Sequence, residues 1–177
     1  MSQFDKLAKL VGEVGARGEP NHPVTLTLPS EQEILISRVF DAPPERVFRA
    51  HVDPKALADW WGPREYVNTV DRWEPRKGGA WRIVQRAPDS TEHPFRGVFQ
   101  EVVPSKRLTW TFEYERLPGH VLTETMTFEP EPGGRTKLTV HAVFPSQEDR
   151  NGMLASGMEW GMREGYERLD DLLDRGA

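Results

Sequence analysis

The sequence predicts an α+β fold: one curved antiparallel sheet of six to seven strands wrapped around a long C-terminal helix, with two short helices after the first core strand. Three observations lead there. From Tyr66 to Phe144 the chain is a run of short segments with apolar residues at alternate positions, separated by Gly/Pro turns. Beyond Ser146 the period becomes helical, with a single broad apolar stripe. One apolar sheet face and one apolar helix stripe must then cover each other. A strongly twisted sheet curling round a single helix leaves space between them.

Phe4, Leu7, Leu10 and Val14 repeat at helical spacing, in a helix too short to stand alone, and Gly15 to Pro23 reads as a linker. Residues 1–30 therefore form an N-terminal extension, and residues 31–177 the domain proper. "VTLTL" (24–28) and "EILISRVF" (33–40) are strands joined at Pro29-Ser30. Pro43-Pro44 starts a short helix with Val47, Phe48 and Ala50 partly buried. Asp53-Pro54 opens a second, from Lys55 to about Trp60, which Gly62-Pro63 stops. Strands follow at 66–73, 80–86, 95–103, 107–115, 121–129 and 136–144, with turns at Lys77-Gly78-Gly79, Ala87-Pro88-Asp89, Pro104-Ser105, Pro118-Gly119 and Pro132-Gly133-Gly134. Such short links favour antiparallel neighbours.

In the strand from Arg107, Leu108, Trp110, Phe112 and Tyr114 share one face, against Thr109, Thr111, Glu113 and Glu115. Leu122, Glu124, Met126 and Phe128 share the inner face of the next, and Leu138, Val140, Ala142 and Phe144 that of the last. Ser146 and Asp149 approximate a capping box for the closing helix. At about 100° per residue, Leu154, Ala155, Met158, Gly161, Met162, Gly165, Tyr166, Leu169, Leu172 and Leu173 form its stripe. Glu159, Arg163, Glu167, Asp170 and Asp171 face away, and Asn151-Gly152 is the place for a kink.

Bulk properties exclude several functions. The 177 residues contain no cysteine, which removes thiolate chemistry and cysteine-ligated zinc. None of the five histidines stands four residues from another, so no helical metal pair is present and no metal or other cofactor is expected. With 23 basic against 28 acidic residues there is no basic excess for nucleic acid. No stretch approaches the roughly 18 apolar residues that span a bilayer, and the start lacks the apolar core of a secretory signal. A cytoplasmic location follows as the expectation.

The segments "ISRVFDAPPERVFRAHVDPKALADWWGP", "KGGAWR", "FRGVFQEVVPSKRLTWTFEYE", "ETMTFEPEPGGRTKLTV" and "LASGMEWGMREGYERLDDLL" resemble the helix-grip superfamily, which includes START domains and birch-pollen-allergen proteins. Within it they are most similar to the C-terminal domain of the activator of the heat-shock-protein-90 ATPase, over Gln32 to Leu173. The resemblance implies a cavity between sheet and helix, often for an apolar small molecule. It does not assign a function, because relatives carry lipids, bind hormones, cyclise polyketides or touch a chaperone.

On that expectation the aromatic residues Trp73, Trp81, Phe99, Trp110, Phe112, Tyr114 and Tyr166, with Met126, Met158 and Met162, line a pocket for a flat or greasy ligand; the alternative is a solid core. Trp60 and Trp61 end the second short helix at the cavity mouth, one indole turned inward and the other covering Pro63 or a contact surface. Glu124 alternates with apolar residues, so its carboxylate points inward, to orient a ligand or act as general acid or base. The rival reading is a bulge that turns it outward, or an ion pair with Arg82 or Arg96. His141 falls on the solvent face. Gly161 and Gly165 lie on the inward stripe, where a bulky strand residue such as Trp110, or a ligand, approaches the helix. An exposed Trp160 marks an interface, either for a homodimer or for the N-terminal helix. The functional reading is binding of a small apolar or aromatic molecule. The alternatives are a cyclase or hydrolase using Glu124, and a chaperone-binding module.

Overall fold

The computed structural model of the protein describes residues 22–176. The helix expected over Phe4 to Val14 lies outside the described residues. Eight strands form one sheet: β1 (Thr25–Thr27), β2 (Glu33–Phe40), β3 (Val67–Trp73), β4 (Ala80–Arg86), β5 (Glu92–Val103), β6 (Arg107–Tyr114), β7 (Leu122–Glu131) and β8 (Arg135–Val143). Their order is β1-β2-β8-β7-β6-β5-β4-β3, every neighbouring pair is antiparallel, and the sheet does not close. The count exceeds the expected six to seven because the leader strand β1 joins the same sheet, with Leu26 opposite Ile36.

Alternation sets the inner face. Ile34, Ile36, Arg38 and Phe40 of β2, Leu108, Trp110 and Phe112 of β6, and Leu138, Val140 and Ala142 of β8 are all buried. The register places Trp110 directly opposite Glu124, and Glu124 opposite Ala142. A bulge between Phe99 and Glu101 of β5 and another between Val70 and Arg72 of β3 add to the curvature.

Between β2 and β3 run α1 (Pro44–Val52) and α2 (Pro54–Trp60). Asp53 caps α2 by accepting from Lys55 N–H at 2.9 Å. Val47, Phe48 and Ala50 of α1 are fully rather than partly buried.

The long C-terminal helix is present, but the stretch from Ser146 is not one continuous helix. It is two helices, α3 (Gln147–Ala155) and α4 (Met158–Asp174). Ser146 caps α3 at Asp149 N–H, as the sequence indicates. The break falls at Gly157, which takes a left-handed φ of 85°, and not at Asn151-Gly152. The far end of α4 is pinned to the sheet by Leu169, Leu172 and Leu173, all buried. Asp170, expected to face away, instead forms a two-pronged ion pair with buried Arg38 on β2, one arm 2.7 Å long.

Candidate functional site

An open cavity of about 880 Å³ lies between the inner face of the sheet and the helices. Its floor is the row of cross-strand pairs Leu108–Met126, Trp110–Glu124 and Phe112–Leu122, extended by Val140 and Ala142. Its roof is α4 at Met158, Gly161, Met162, Gly165 and Tyr166, and its mouth is rimmed by Leu117, His120, Met153 and Trp160.

The paired indoles both face this space. Trp60 is buried; its Nε1–H donates to Ala50 O at 2.8 Å, and its ring stacks near Tyr166. Trp61 turns inward as well. It packs edge-on to Phe95 and against Phe112 on the cavity wall. Both rings face inward because the helix ends between them: Trp60 is its last residue and Trp61 is already extended. Asn68 Nδ2 donates to Trp61 O at 2.6 Å, and Arg168 on α4 donates to Gly62 O at 3.1 Å and Pro63 O at 3.0 Å. The turn is thereby fixed to both β3 and α4.

This turn also explains the two helix glycines. A Cβ on Gly165 would meet Gly62 N at 3.0 Å and Trp60 O at 3.1 Å, and one on Gly161 would meet Pro63 Cδ at 3.4 Å. What approaches α4 is the Trp60–Pro63 turn, through backbone atoms at Gly165 and the Pro63 ring at Gly161, and not Trp110.

Glu124 points inward. Neither proposed ion pair forms, since Arg82 holds Glu115 and Asp71, and Arg96 holds Glu113. Its Oε1 accepts from Trp110 Nε1–H at 3.2 Å, which is its one hydrogen bond among the described residues. Burial pushes the carboxyl up to about 7, against the opposing effect of the Trp110 bond. Tyr166 is 7% exposed, lines the cavity and makes no hydrogen bond through its hydroxyl among the described residues. Burial, and then the charge of Glu124, push its ionisation well upward. His51 of α1, which the sequence reading passed over, is 4% exposed and also lines the cavity. Its Nδ1–H donates to Val47 O at 2.8 Å, and burial pushes the imidazole down to about 4. A signal for it was there: His51 lies three and four residues past Phe48 and Val47, on the same helical face.

Trp73 and Phe99 do not line the cavity, and neither does Trp81. It is fully buried behind Trp110, ring centroids 4.3 Å apart, and donates through Nε1 to Thr111 O at 3.2 Å. Trp110, Phe112, Tyr114, Met126, Met158 and Met162 do line it. Tyr114 is hydrogen-bonded to His93 at 2.8 Å; His93 and Phe95 are further wall residues missed in the sequence. His141, on the outer face, is hydrogen-bonded to Glu33. Trp160 is half exposed, its ring edge-on to Tyr66. Among the described residues no group of His, Asp and Glu is placed to hold a metal ion, and no helix is long and apolar enough to cross a membrane.

The family model "Activator of Hsp90 ATPase homolog 1-like protein" matches residues 41–174. The chain belongs to that family. Solved structures of bacterial proteins share the fold. One from Rhodobacter sphaeroides is 28% identical with a TM-score of 0.79, covering 86% of this chain and 99% of its own. One from Chromobacterium violaceum is 30% identical with a TM-score of 0.69, covering 81% and 97%. One from Arthrobacter aurescens is 28% identical with a TM-score of 0.78, covering 85% and 91%. No curated protein matches the chain. In this Hsp90-activator-like chain the helix-grip fold supplies the cavity, and its own residues supply the polar groups inside it.

Proposed function

We propose that the protein binds a small molecule with a flat apolar body in the cavity between sheet and α4, oriented by Glu124. The observation that carries this reading is an open space of about 880 Å³ with aromatic and aliphatic walls and a small set of inward polar groups. That volume is within the range of ligand pockets, roughly 300–1,000 Å³. Trp60, Trp61, Trp110, Phe112 and Tyr166 offer rigid faces, and Met126, Met158 and Met162 adapt to the ligand's outline. Apolar burial supplies affinity, and one polar contact fixes the pose.

The test is titration with N-phenyl-1-naphthylamine, a neutral fluorescent probe of flat apolar shape. Its emission is expected to rise with saturation at one site. Ala142→Leu puts methyl groups into the cavity beside Glu124 and is expected to weaken binding by about tenfold without lowering the melting temperature. Unchanged affinity in that variant rejects the cavity as the site.

A second reading, general acid–base catalysis, is favoured by the Glu124 carboxyl lying near neutrality. A Glu124→Gln variant that keeps binding a substrate and loses turnover supports it. The family description also names activation of the Hsp90 ATPase. A chaperone ATPase rate unmoved by saturating protein removes that alternative.

A further inference from the structure

The charges on the cavity wall are one-sided. Glu124 lies deep in it, and Glu148 and Asp149 lie toward the mouth, yet no lysine or arginine among the described residues lines it. Arg38, whose charge reaches Tyr166, is paired with Asp170. Glu124 is bonded only to a neutral indole N–H. A half-buried carboxylate on an apolar wall lacks a counter-charge there, which disfavours its ionised form.

The neighbouring polar atoms can each accept a hydrogen bond. A carbonyl only accepts, so the His51–Val47 bond puts the proton on Nδ1 and leaves Nε2 a bare acceptor. His51 packs on Trp60, Trp60 stacks near Tyr166, and Tyr166 feels the Glu124 charge. The Tyr166 oxygen is unpartnered on the same stretch of wall. The Glu124 carboxylate and His51 Nε2 therefore only accept, and the Tyr166 hydroxyl accepts as well as donates, on a wall with no cationic donor among the described residues. Around them stand the faces of Trp60, Trp110 and Phe112, whose π clouds favour a cation.

Building on the apolar-ligand reading above, we infer that the ligand is a protonated amine carried on a flat apolar body, its ammonium group donating to Glu124, with Tyr166 and His51 lining the same cavity. The ammonium has three donors and one positive charge, matching what the wall lacks. Binding then drives Glu124 to the carboxylate and releases its proton. The other titratable groups on the wall are His51 from α1, Tyr166 from α4, Tyr66 from the loop before β3, His93 from β5, Tyr114 from β6, His120 from the loop before β7, and Glu148 and Asp149 from α3, the last hydrogen-bonded to His120 at 2.8 Å.

Three probes with one shared body test this by titration calorimetry at pH 8: 2-(2-naphthyl)ethylamine, 2-(2-naphthyl)ethanol and 2-naphthylacetic acid. The amine is expected to bind at least about tenfold tighter than the alcohol, with the acid weakest. In Glu124→Gln the amine-to-alcohol ratio is expected to fall toward one. In the unaltered protein that ratio is expected to grow several-fold from pH 6 to pH 8 as the carboxylate forms, a readout that does not depend on the variant folding. An alcohol that binds as tightly as the amine, an acid that binds tightest, a ratio flat with pH, or a folded variant that keeps the amine preference overturns the inference and leaves apolar binding standing. No binding by any of the three probes overturns both.

Discussion

At the scale of single residues, the cavity sets two titrations running in opposite directions. His51 is held neutral, with its imidazole lowered to about 4 from an ordinary 6.5. The stability it contributes is full above 6.5 and is lost as pH falls toward 4. Glu124 is raised to about 7 from an ordinary 4.5. Its contribution is full below 4.5 and is lost as pH rises through 7. Each is on the order of 3 kcal/mol at most. Between about pH 4.5 and 6.5 the two offset each other, so the native protein is expected to hold a level stability there and to weaken toward pH 8. Glu124→Gln removes the alkaline loss and exposes the acid one. Urea midpoints of the variant are expected to rise from pH 5 to 6.5 and then stay level. A variant that still weakens between pH 6.5 and 8 assigns the alkaline loss to another group. Glu124 was legible from its sequence because period-two alternation fixes the side of a sheet on which a residue lies. Trp81 was misplaced because the same parity says inward but not how deep, and Trp110 stands between it and the cavity.

At the scale of elements, the contact between α4 and the turn after α2 sets the height of the roof. Two glycines meet that turn at different separations, and their substitutions are expected to differ in sign. Alanine at 165 drives a methyl group to within 3.0 Å of Gly62 N, a backbone atom held by the Arg168 and Asn68 bonds. That overpacking outweighs the helix-propensity gain, so Gly165→Ala is expected to lose about 1–2 kcal/mol. Alanine at 161 meets Pro63 Cδ at 3.4 Å, an ordinary contact. Gly161→Ala is expected to be neutral or to gain up to about 1 kcal/mol. Denaturant unfolding of both variants checks this, and equal losses would mean that the turn does not set the spacing. The strands were legible in the sequence nearly to their ends, because alternation and Gly/Pro turns are local signals. The helix break was not, because the apolar stripe continues across Gly157 and a left-handed residue leaves the pattern on either side intact. The partner of Gly165 was not legible either, since it lies about a hundred residues away in the chain.

At the scale of the whole molecule, the fold is tied at one end and open at the other. Leu169, Leu172 and Leu173 are buried and Arg38 reaches across to Asp170, joining the last turns of α4 to β2. Toward the mouth, Met153, Leu154, Met158 and Met162 are only partly covered, the helix is interrupted at Gly157, and Trp160 is half exposed. Local opening follows burial and hydrogen bonding, so the two ends differ in how readily they open. Amide hydrogen exchange is expected to show global-level protection at Leu169 to Leu173 and faster exchange from Met153 to Met162. An apolar ligand seated under α4 contacts the second group and not the first. It is therefore expected to slow exchange at Met153 to Met162 by an amount that follows the ligand's affinity and concentration, leaving Leu169 to Leu173 changed only by the global stabilisation. Uniform protection along the helix without ligand would mean that the cavity is roofed by a rigid lid. Ligand would then have to enter beside Trp61 and Tyr66 instead of beneath the break at Gly157.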